Sequence, residues 1–211
     1  MPAQAREADT ADSILDAART RLLADGYARL STRKVAQEAG VPLSQVHYHF
    51  GSKGGMVLAL LEAEDRRRLA RQTAMYAQDR PLWQRYEQAC DFLEDDIDSG
   101  YVRVLQEMIA AGWSTPALAE KARSMLQGWN RLLVEVANEA TQRFGSLGPF
   151  SPEEIASLTI CCFMGAESLI LLGFDRHQAP IRAALRRVGV LIRQHEEAGQ
   201  TTAKGRTRAR A

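Results

Sequence analysis

The sequence has few of the signals that mark membrane or secreted proteins. Its uninterrupted apolar runs stay well below the roughly 18 residues expected of a membrane span. The start from Met1 to Thr10 is polar and has no apolar signal region. Cys90, Cys161 and Cys162 form no C-x-x-C pair, so reduced, packed thiols are expected and redox sensing is the less favoured alternative. These absences predict a cytoplasmic protein with no membrane partner.

Signatures of catalysis and of metal or cofactor binding are also missing. There is no G-x-S-x-G, no P-loop, no H-E-x-x-H and no glycine-rich dinucleotide fingerprint. His47 and His49 lie two residues apart on a predicted helix and point about 200° apart, so a shared metal is not expected. We therefore expect no enzyme, no cofactor and no metal. A net charge of +1 means that the placement of charge, not its total, must indicate any partner.

Strand signals are nearly absent, whereas helical spacing of apolar residues recurs throughout. The sequence therefore predicts an all-α fold of about nine helices. The domains are predicted as an N-terminal domain over 1–52, a larger helical domain over 53–198, and a basic, disordered tail over 199–211. The predicted helices are Asp12–Ala24, Thr32–Ala39, Pro42–Phe50, Lys53–Tyr76, Leu82–Ser99, Tyr101–Ala111, Pro116–Phe144, Pro152–Leu172, whose stretch Ile155–Leu172 is nearly apolar, and Pro180–Glu196.

Two short helices joined by a turn at Gly40 and packed on a longer first helix are typical of a helix-turn-helix. The second short helix of such a motif lies in the major groove of DNA. There, Gln45 suits a bidentate contact with adenine, Leu43 suits a thymine methyl, and His47 can donate to a guanine acceptor. Tyr48, His49 and Lys53 are predicted to contact phosphate. Thr32 and Arg33 begin the first short helix, where backbone N–H groups attract phosphate.

The segments around these residues strongly resemble the TetR family of repressors. They are Ile14–Ala18 through Tyr27, Ser31–Val41 and His47–Lys53, in the family's order and spacing, over about the first quarter of the chain. The resemblance implies a homodimer that binds a palindromic operator in double-stranded DNA and releases it when a small molecule binds the C-terminal domain. By position it assigns DNA contacts to Thr32, Arg33, Leu43, Ser44, Gln45, His47, Tyr48, His49 and Lys53. The chain departs from the family at Pro42, His47 and Gly54.

The family resemblance also implies that the last two long helices form a four-helix bundle with those of the partner subunit. The nearly apolar Ile155–Leu172 and the amphipathic Pro180–Glu196 suit this role, because a two-fold contact needs an apolar, self-complementary face. Simple filling of the monomer core is the alternative. The predicted interface residues are Gly165, Ala166, Leu169, Leu185, Val188 and Ile192.

The middle helices supply aromatic and methionine side chains that suit a pocket for a largely apolar effector. Glu167 is the lone carboxylate of its apolar segment and needs a partner if buried, either an arginine across the interface or a polar group of the ligand. For each residue, plain core packing is the alternative. The predicted effector set is Trp83, Tyr86, Cys90, Met108, Trp113, Met125, Trp129 and Glu167.

Gly54 and Gly55 open the helix that links the two predicted domains. Each glycine costs about 1 kcal/mol relative to alanine inside a helix, so we expect a soft first turn that affects how ligand binding reaches the DNA-binding helices. The alternative is that Gly54 ends the preceding turn or lets the backbone approach a phosphate. Two other classes of function stay open: a helical protein-interaction adaptor with a degenerate helix-turn-helix, and an all-α enzyme.

Overall fold

The chain folds into α-helices joined by short turns. The computed structural model describes the backbone of residues 3–146, 148–175 and 177–208, and these ranges contain nine helices and no strand. The predicted all-α class is confirmed. The helices are α1 (Ala3–Arg29), α2 (Thr32–Glu38), α3 (Leu43–Phe50), α4 (Lys53–Tyr76), α5 (Leu82–Asp98), α6 (Tyr101–Gly112), α7 (Pro116–Phe144), α8 (Pro152–Leu171) and α9 (Ile181–Arg208).

Most helix ends lie within one or two residues of their predicted positions, whereas both ends of α1 and the end of α9 differ by more. α1 begins at Ala3 instead of Asp12, although the predicted stop is visible as a non-helical Gly26 with φ 74° and ψ 164°. α9 passes its predicted end and continues to Arg208, into the segment predicted as a basic tail. The side chains of 199–208 and all of 209–211 lie outside the described part of the chain, so the role of that tail stays a prediction.

The helices group into two compact units that alternate along the chain. The first unit comprises the described residues of Met1–Arg68 and Gly100–Met125, and the second those of Leu69–Ser99 and Leu126–Ala211. The first unit therefore extends beyond the predicted boundary at residue 52, because α4 and α6 share a core with α1, α2 and α3. The functional domain boundaries stay a prediction.

The first unit has a closed apolar core that holds the three N-terminal helices. Ile14 of α1, Val35 of α2 and Met56 of α4 have no exposed surface. Met108 of α6 and Met125 of α7 are buried in the same cluster. Burial of this kind stabilises by roughly 1.5–3 kcal/mol for each large apolar side chain. Packing against this core thus fixes the positions of α2 and α3.

In the second unit, charged groups remote in sequence hold α5 in place. Arg85 is almost fully buried and donates to both carboxylate oxygens of Glu139, at 3.0 and 2.6 Å, and to the Tyr76 carbonyl at 2.5 Å. The hydrogen bond from Arg85 holds the pKa of Glu139 below its ordinary value. The buried carboxylate of Glu196 accepts from the Leu82 N–H, at 2.9 Å, and from that of Trp83. It thereby satisfies amides that begin α5, whose N-cap is a proline without a side-chain bond.

α8 is only thinly covered by the rest of the second unit. Ala156 and Ala166 are buried, but most of its other side chains are exposed or half-buried. By length and composition, α8 is also the one described helix that is apolar enough to cross a membrane. The sequence analysis did not predict this property of α8, because polar residues interrupt its apolar run. Most of its apolar surface is therefore left without cover from this chain.

Candidate DNA interface and effector pocket

α2 begins and ends on local hydrogen bonds. The Ser31 hydroxyl accepts from the Lys34 N–H at 3.3 Å, which is an N-cap. At the other end, the Gly40 N–H donates to the Gln37 carbonyl at 3.2 Å and the Val41 N–H to the Ala36 carbonyl at 3.0 Å. This pair of bonds is a Schellman motif. It fixes the direction in which the chain leaves α2 for α3.

An ion cluster ties α2 to α1. Asp25 accepts from Arg21 at 2.5 Å and from Lys34 at 3.1 Å. The hydrogen bond from Arg21, followed by that from Lys34, lowers the pKa of Asp25 below its ordinary value. At the start of α2, Arg33 is exposed and Thr32 is half-buried, as their predicted phosphate contacts require.

α3 buries one stripe of side chains. Val46 is buried, and Leu43 and Phe50 are half-buried against the same core. Their i, i+3, i+7 spacing places all three on one face of the helix. Leu43 therefore packs partly against the core, and its contact with a thymine methyl stays a prediction.

The opposite face of α3 is polar. Ser44, His47 and Tyr48 are exposed and Gln45 is partly exposed. The Tyr48 ring, 70% exposed, meets the His49 ring edge-on at 5.1 Å. His49 is half-buried and its Nε2 is enclosed, so it is a less accessible phosphate contact than Tyr48. The face thus offers hydroxyl, amide and imidazole groups on a rigid helix.

The joint between α3 and α4 is tight, in contrast to the predicted soft turn. Gly51 has φ 71° and ψ −54° and the Ser52 N–H donates to the Phe50 carbonyl at 2.7 Å, which together form a γ-turn whose positive φ favours glycine. A Cβ on Gly55 would lie only 2.2 Å from the Phe50 carbonyl oxygen, whereas one on Gly54 would meet nothing closer than the Ser52 hydroxyl at 3.7 Å. Gly55 is thus required by close packing, which corrects the interpretation of this glycine pair as a hinge.

Lys53 is turned toward the segment that follows the kink in α1. Its Nζ donates to the Tyr27 carbonyl at 2.5 Å and lies 4.3 Å from the centre of the Tyr27 ring. Burial lowers the pKa of Lys53. The Tyr27 N–H donates in turn to Glu107 of α6 at 2.7 Å. Lys53 therefore positions this segment, and its predicted phosphate contact would require another rotamer.

Two short helices at a fixed turn, with a closed core beneath and a polar face outside, define a helix-turn-helix DNA-binding protein. Residues 14–60 match the family model described as bacterial regulatory proteins, tetR family. The N-terminal segment, residues 14–60, therefore has the sequence of a TetR-family DNA-binding region. No curated protein matches the chain in sequence.

Solved structures with this fold cover nearly the whole chain. A TetR transcription regulator from Haloarcula marismortui matches 90% of this chain and 98% of its own, with a TM-score of 0.73 and 18% identity. FadR from Bacillus subtilis, in complex with stearoyl-CoA, matches 85% and 96%, with a TM-score of 0.69 and 16% identity. A protein assigned as a transcriptional regulator from Saccharomonospora viridis, in complex with choline, matches 85% and 95%, with a TM-score of 0.72 and 19% identity.

The predicted dimer residues divide into an exposed and a buried group. Gly165 and Val188 are exposed, and Leu169 and Ile192 are half-buried. Ala166 and Leu185 are buried within the protomer, which corrects their assignment to a face open to a partner. The Leu185 carbonyl accepts from the Tyr86 hydroxyl at 3.0 Å, because α9 packs this side against α5.

An uncovered apolar seam runs along α8 and α9, and we name it the α8–α9 seam. Its residues recur at alternating steps of four and three, the spacing at which helices pack into bundles. All are exposed except Leu169, which is half-buried. They are Leu158, Cys162, Gly165, Leu169 and Leu172 on the α8 side, and Ala184, Val188, Leu191 and His195 on α9.

A cavity of about 470 Å³ lies within the second unit. Its described lining contains no Asp, Glu, Lys or Arg. Burial raises the pKa of the Tyr76 and Tyr86 hydroxyls, so both are neutral hydrogen-bonding groups. The lining residues are Tyr76, Leu82, Tyr86, Leu133, Val136, Ala137, Ala140, Phe144, Gly148, Ile155, Thr159, Val188, Leu191, Ile192 and His195.

The structure does not gather the predicted effector set into one site. Tyr86 lines the cavity, and Cys90 lies next to it with a side-chain hydrogen bond between them. Trp83 packs under the Arg193 guanidinium at 4.9 Å. The other members lie elsewhere: Met108 and Met125 in the core of the first unit, Trp113 85% exposed on that unit, and Trp129 and Glu167 half-buried.

The apolar side chains of α7 that line the cavity were not predicted from the sequence. Leu133, Ala137, Ala140 and Phe144 recur along α7 at steps of four, three and four, a pattern present in the sequence. The predicted set consists mostly of aromatic and methionine side chains, which are also common in protein cores. Among the described residues, no cluster of three His, Cys, Asp or Glu side chains is arranged to hold a metal ion.

Proposed function

We propose that this protein is a ligand-responsive repressor. It binds a palindromic DNA operator as a homodimer in the cytoplasm and is released by a small, largely apolar effector. The observation that best supports DNA binding is the polar face of α3. The closed core on its other side and the hydrogen-bonded turns at both ends of α3 fix the position of this helix. Neither a protein-interaction adaptor nor an enzyme would need such a face, although both remain outcomes of the test.

Binding to DNA is tested by fluorescence anisotropy with duplexes selected from a randomised library. Gln45→Ala removes an amide from α3 and should reduce the preference for the selected sequence by roughly 1–3 kcal/mol. Gln37→Ala is the matched control, because Gln37 is exposed on α2 and is not a predicted contact. Equal losses from both variants, or no selected sequence at all, would contradict the proposal.

The α8–α9 seam supports the homodimer. A second copy presents the same seam, so two seams related by a two-fold axis can close on each other as a four-helix bundle. A Cβ added to Gly165 would meet no other atom within 4 Å, which leaves room for a partner helix. Lipid is a poorer cover for α8, because Ser157, Thr159 and Glu167 interrupt its apolar surface.

The cavity in the second unit supports the effector. Its volume lies within the usual range for small-molecule sites, about 300–1,000 Å³. A lining without full charges favours an uncharged or weakly polar ligand, with Tyr76 and His195 available for hydrogen bonds. Proteins of this fold have been solved with stearoyl-CoA and with choline, so the fold accepts chemically different ligands.

A thermal-shift screen with apolar metabolites tests the cavity, because a ligand that binds the folded state raises its apparent stability. Val136→Trp should fill the cavity and remove the shift. Val190→Trp, on an exposed part of α9 outside the lining, should retain it. For a repressor that its effector releases, the same ligand must lower operator affinity, and a ligand that raises it would contradict release by the effector.

A further inference from the structure

His47 is tied to Gly51 through both its backbone and its side chain. The His47 carbonyl accepts from the Gly51 N–H at 2.9 Å, and the His47 Nδ1 lies 3.1 Å from the Gly51 carbonyl oxygen. A carbonyl oxygen can only accept a hydrogen bond, so Nδ1 must carry the proton. In a neutral imidazole the other nitrogen, Nε2, is then a pure acceptor.

The γ-turn keeps this acceptor in place. Gly51 is the central residue of the turn that the Ser52 N–H closes on the Phe50 carbonyl at 2.7 Å, so its own carbonyl has a fixed direction. The ring nitrogens lie on different sides of the imidazole. With Nδ1 turned to the Gly51 backbone, Nε2 points away from the joint. His47 is exposed on the same face of α3 as Ser44 and Tyr48.

We propose that His47 is a specificity-determining residue that reads an amino base, adenine or cytosine, on the DNA strand it faces. The inference rests on the proposed function, which places α3 in the major groove. There the adenine N6 and cytosine N4 amino groups are donors, whereas guanine and thymine present acceptors. An Nε2 acceptor pairs with the amino bases and is repelled by the keto oxygens. This reverses the predicted role of His47 as a donor to guanine.

The tautomer is measured on the free protein, without DNA. Long-range ¹H–¹⁵N correlation spectra recorded at about pH 8.5, where an imidazole is neutral, distinguish the protonated ring nitrogen from the bare one. The His47 signals are assigned by their absence in His47→Asn. We expect Nδ1 protonated and Nε2 bare. A bare Nδ1 would overturn the proposal.

Base reading is measured by selection from a randomised duplex library at the same pH. His47→Asn keeps an amide donor near the position of Nδ1 and removes Nε2. We expect one position in each half-site where the wild type prefers adenine or cytosine by roughly tenfold, and where His47→Asn shows no preference. His47→Gln, whose amide can donate or accept, should accept guanine there as well.

The outcomes separate the two proposals. Selection of guanine or thymine at the His47-dependent position would overturn base reading by an acceptor and leave the regulator intact. A wild-type protein that selects no sequence would overturn the proposed function itself. If His47→Asn melts at a lower temperature than the wild type, His47→Gln still reports on the position, because it retains a polar group at the place of Nε2.

Discussion

The core of the first unit and the α8–α9 seam of the second differ in how far this chain covers their apolar side chains. The first unit covers Ile14, Val35 and Met56 completely with its own chain. The second leaves Leu172 74% and Leu191 63% exposed on the α8–α9 seam. A closed core lets the first unit present a polar face in a fixed geometry. An open apolar seam is instead a surface that another protein chain must cover.

One helix of each unit, α2 in the first and α5 in the second, differs from the other in the sequence separation of the contacts that fix it. In the first unit, the ends of α2 are fixed by bonds over three to five residues, as between Ser31 and Lys34. In the second, α5 depends on Glu139 and Glu196, which lie 54 and 114 residues away in sequence from the groups they bind. Local contacts can be deduced from neighbouring residues, whereas remote contacts depend on the completed fold.

The largest expected effect is loss of the dimer in Leu191→Glu. A carboxylate in an apolar contact between subunits costs about 3 kcal/mol or more, so association should weaken at least 100-fold. Val190→Glu is the matched control, because Val190 is also exposed but lies outside the seam. Light scattering at micromolar concentration measures both. A monomeric wild type, or equal dissociation of the two variants, would remove the contrast between the units.

Leu185→Glu would be a poor probe of the same interface. Leu185 is buried in the protomer beside α5, so a carboxylate there would unfold the second unit as well as disturb any partner. If Leu185→Glu abolished the dimer, the loss could therefore not be assigned to the α8–α9 seam.

The next largest effect is expected for Glu139→Gln, which leaves the buried Arg85 without a counter-charge. Breaking a buried pair of this kind costs about 3 kcal/mol, measured by urea unfolding at pH 7. Arg85→Met with Glu139→Gln should recover much of the loss, because no buried charge remains. Arg143→Ala should have little effect, because Arg143 meets Glu139 near the surface at 3.2 Å.

The same pair predicts a pH dependence. Arg85 lowers the folded-state pKa of Glu139 from its ordinary 4.5, so the stabilisation is complete above the unfolded pKa. It is lost as pH falls through the lowered folded pKa. Glu139→Gln should therefore flatten the acid limb of the stability curve, and an unchanged acid limb would contradict the assignment.

The helix pattern and the DNA-reading helix could be predicted because their signals are local. Gly40, Pro42 and Ser52 lie at helix ends, and the spacing of Val46 and Phe50 gave the buried side of α3. The partial packing of Leu43 against the core depends on the tertiary fold and was not predicted. The effector cavity depends on how α5, α7, α8 and α9 meet, which no short segment specifies, so large side chains were chosen in place of the α7 wall.

A smaller effect should distinguish the two glycines that open α4. In Gly55→Ala the new Cβ would lie 2.2 Å from the Phe50 carbonyl oxygen, and relief of this overlap should cost about 2 kcal/mol. Gly54→Ala meets no such contact and should stabilise by up to about 1 kcal/mol. Thermal unfolding of the two single variants measures the difference. Equal stabilisation by both would restore the soft-hinge interpretation.

The smallest effects concern the two helix caps, one local and one remote. Ser31→Ala removes the cap of α2 and should cost about 1 kcal/mol. Glu196→Gln retains one acceptor for the first amides of α5 but removes the charge that favours a helix N-terminus, and should cost a similar amount. Glu197→Gln is the control for the second, because Glu197 is exposed and pairs with Arg193 at the surface.

The two cap variants should lose a similar free energy of unfolding, so hydrogen exchange at individual amides is needed to distinguish them. Ser31→Ala should speed exchange of the Lys34 amide and its neighbours in α2. Glu196→Gln should speed exchange of the Leu82 and Trp83 amides, more than 100 residues away in sequence. Because Glu196 is buried and directly bonded to these amides, Glu197→Gln should leave them protected. Equal exchange in the two glutamine variants would mean that α5 is capped by something other than Glu196, and the start of α5 would then not depend on this remote contact.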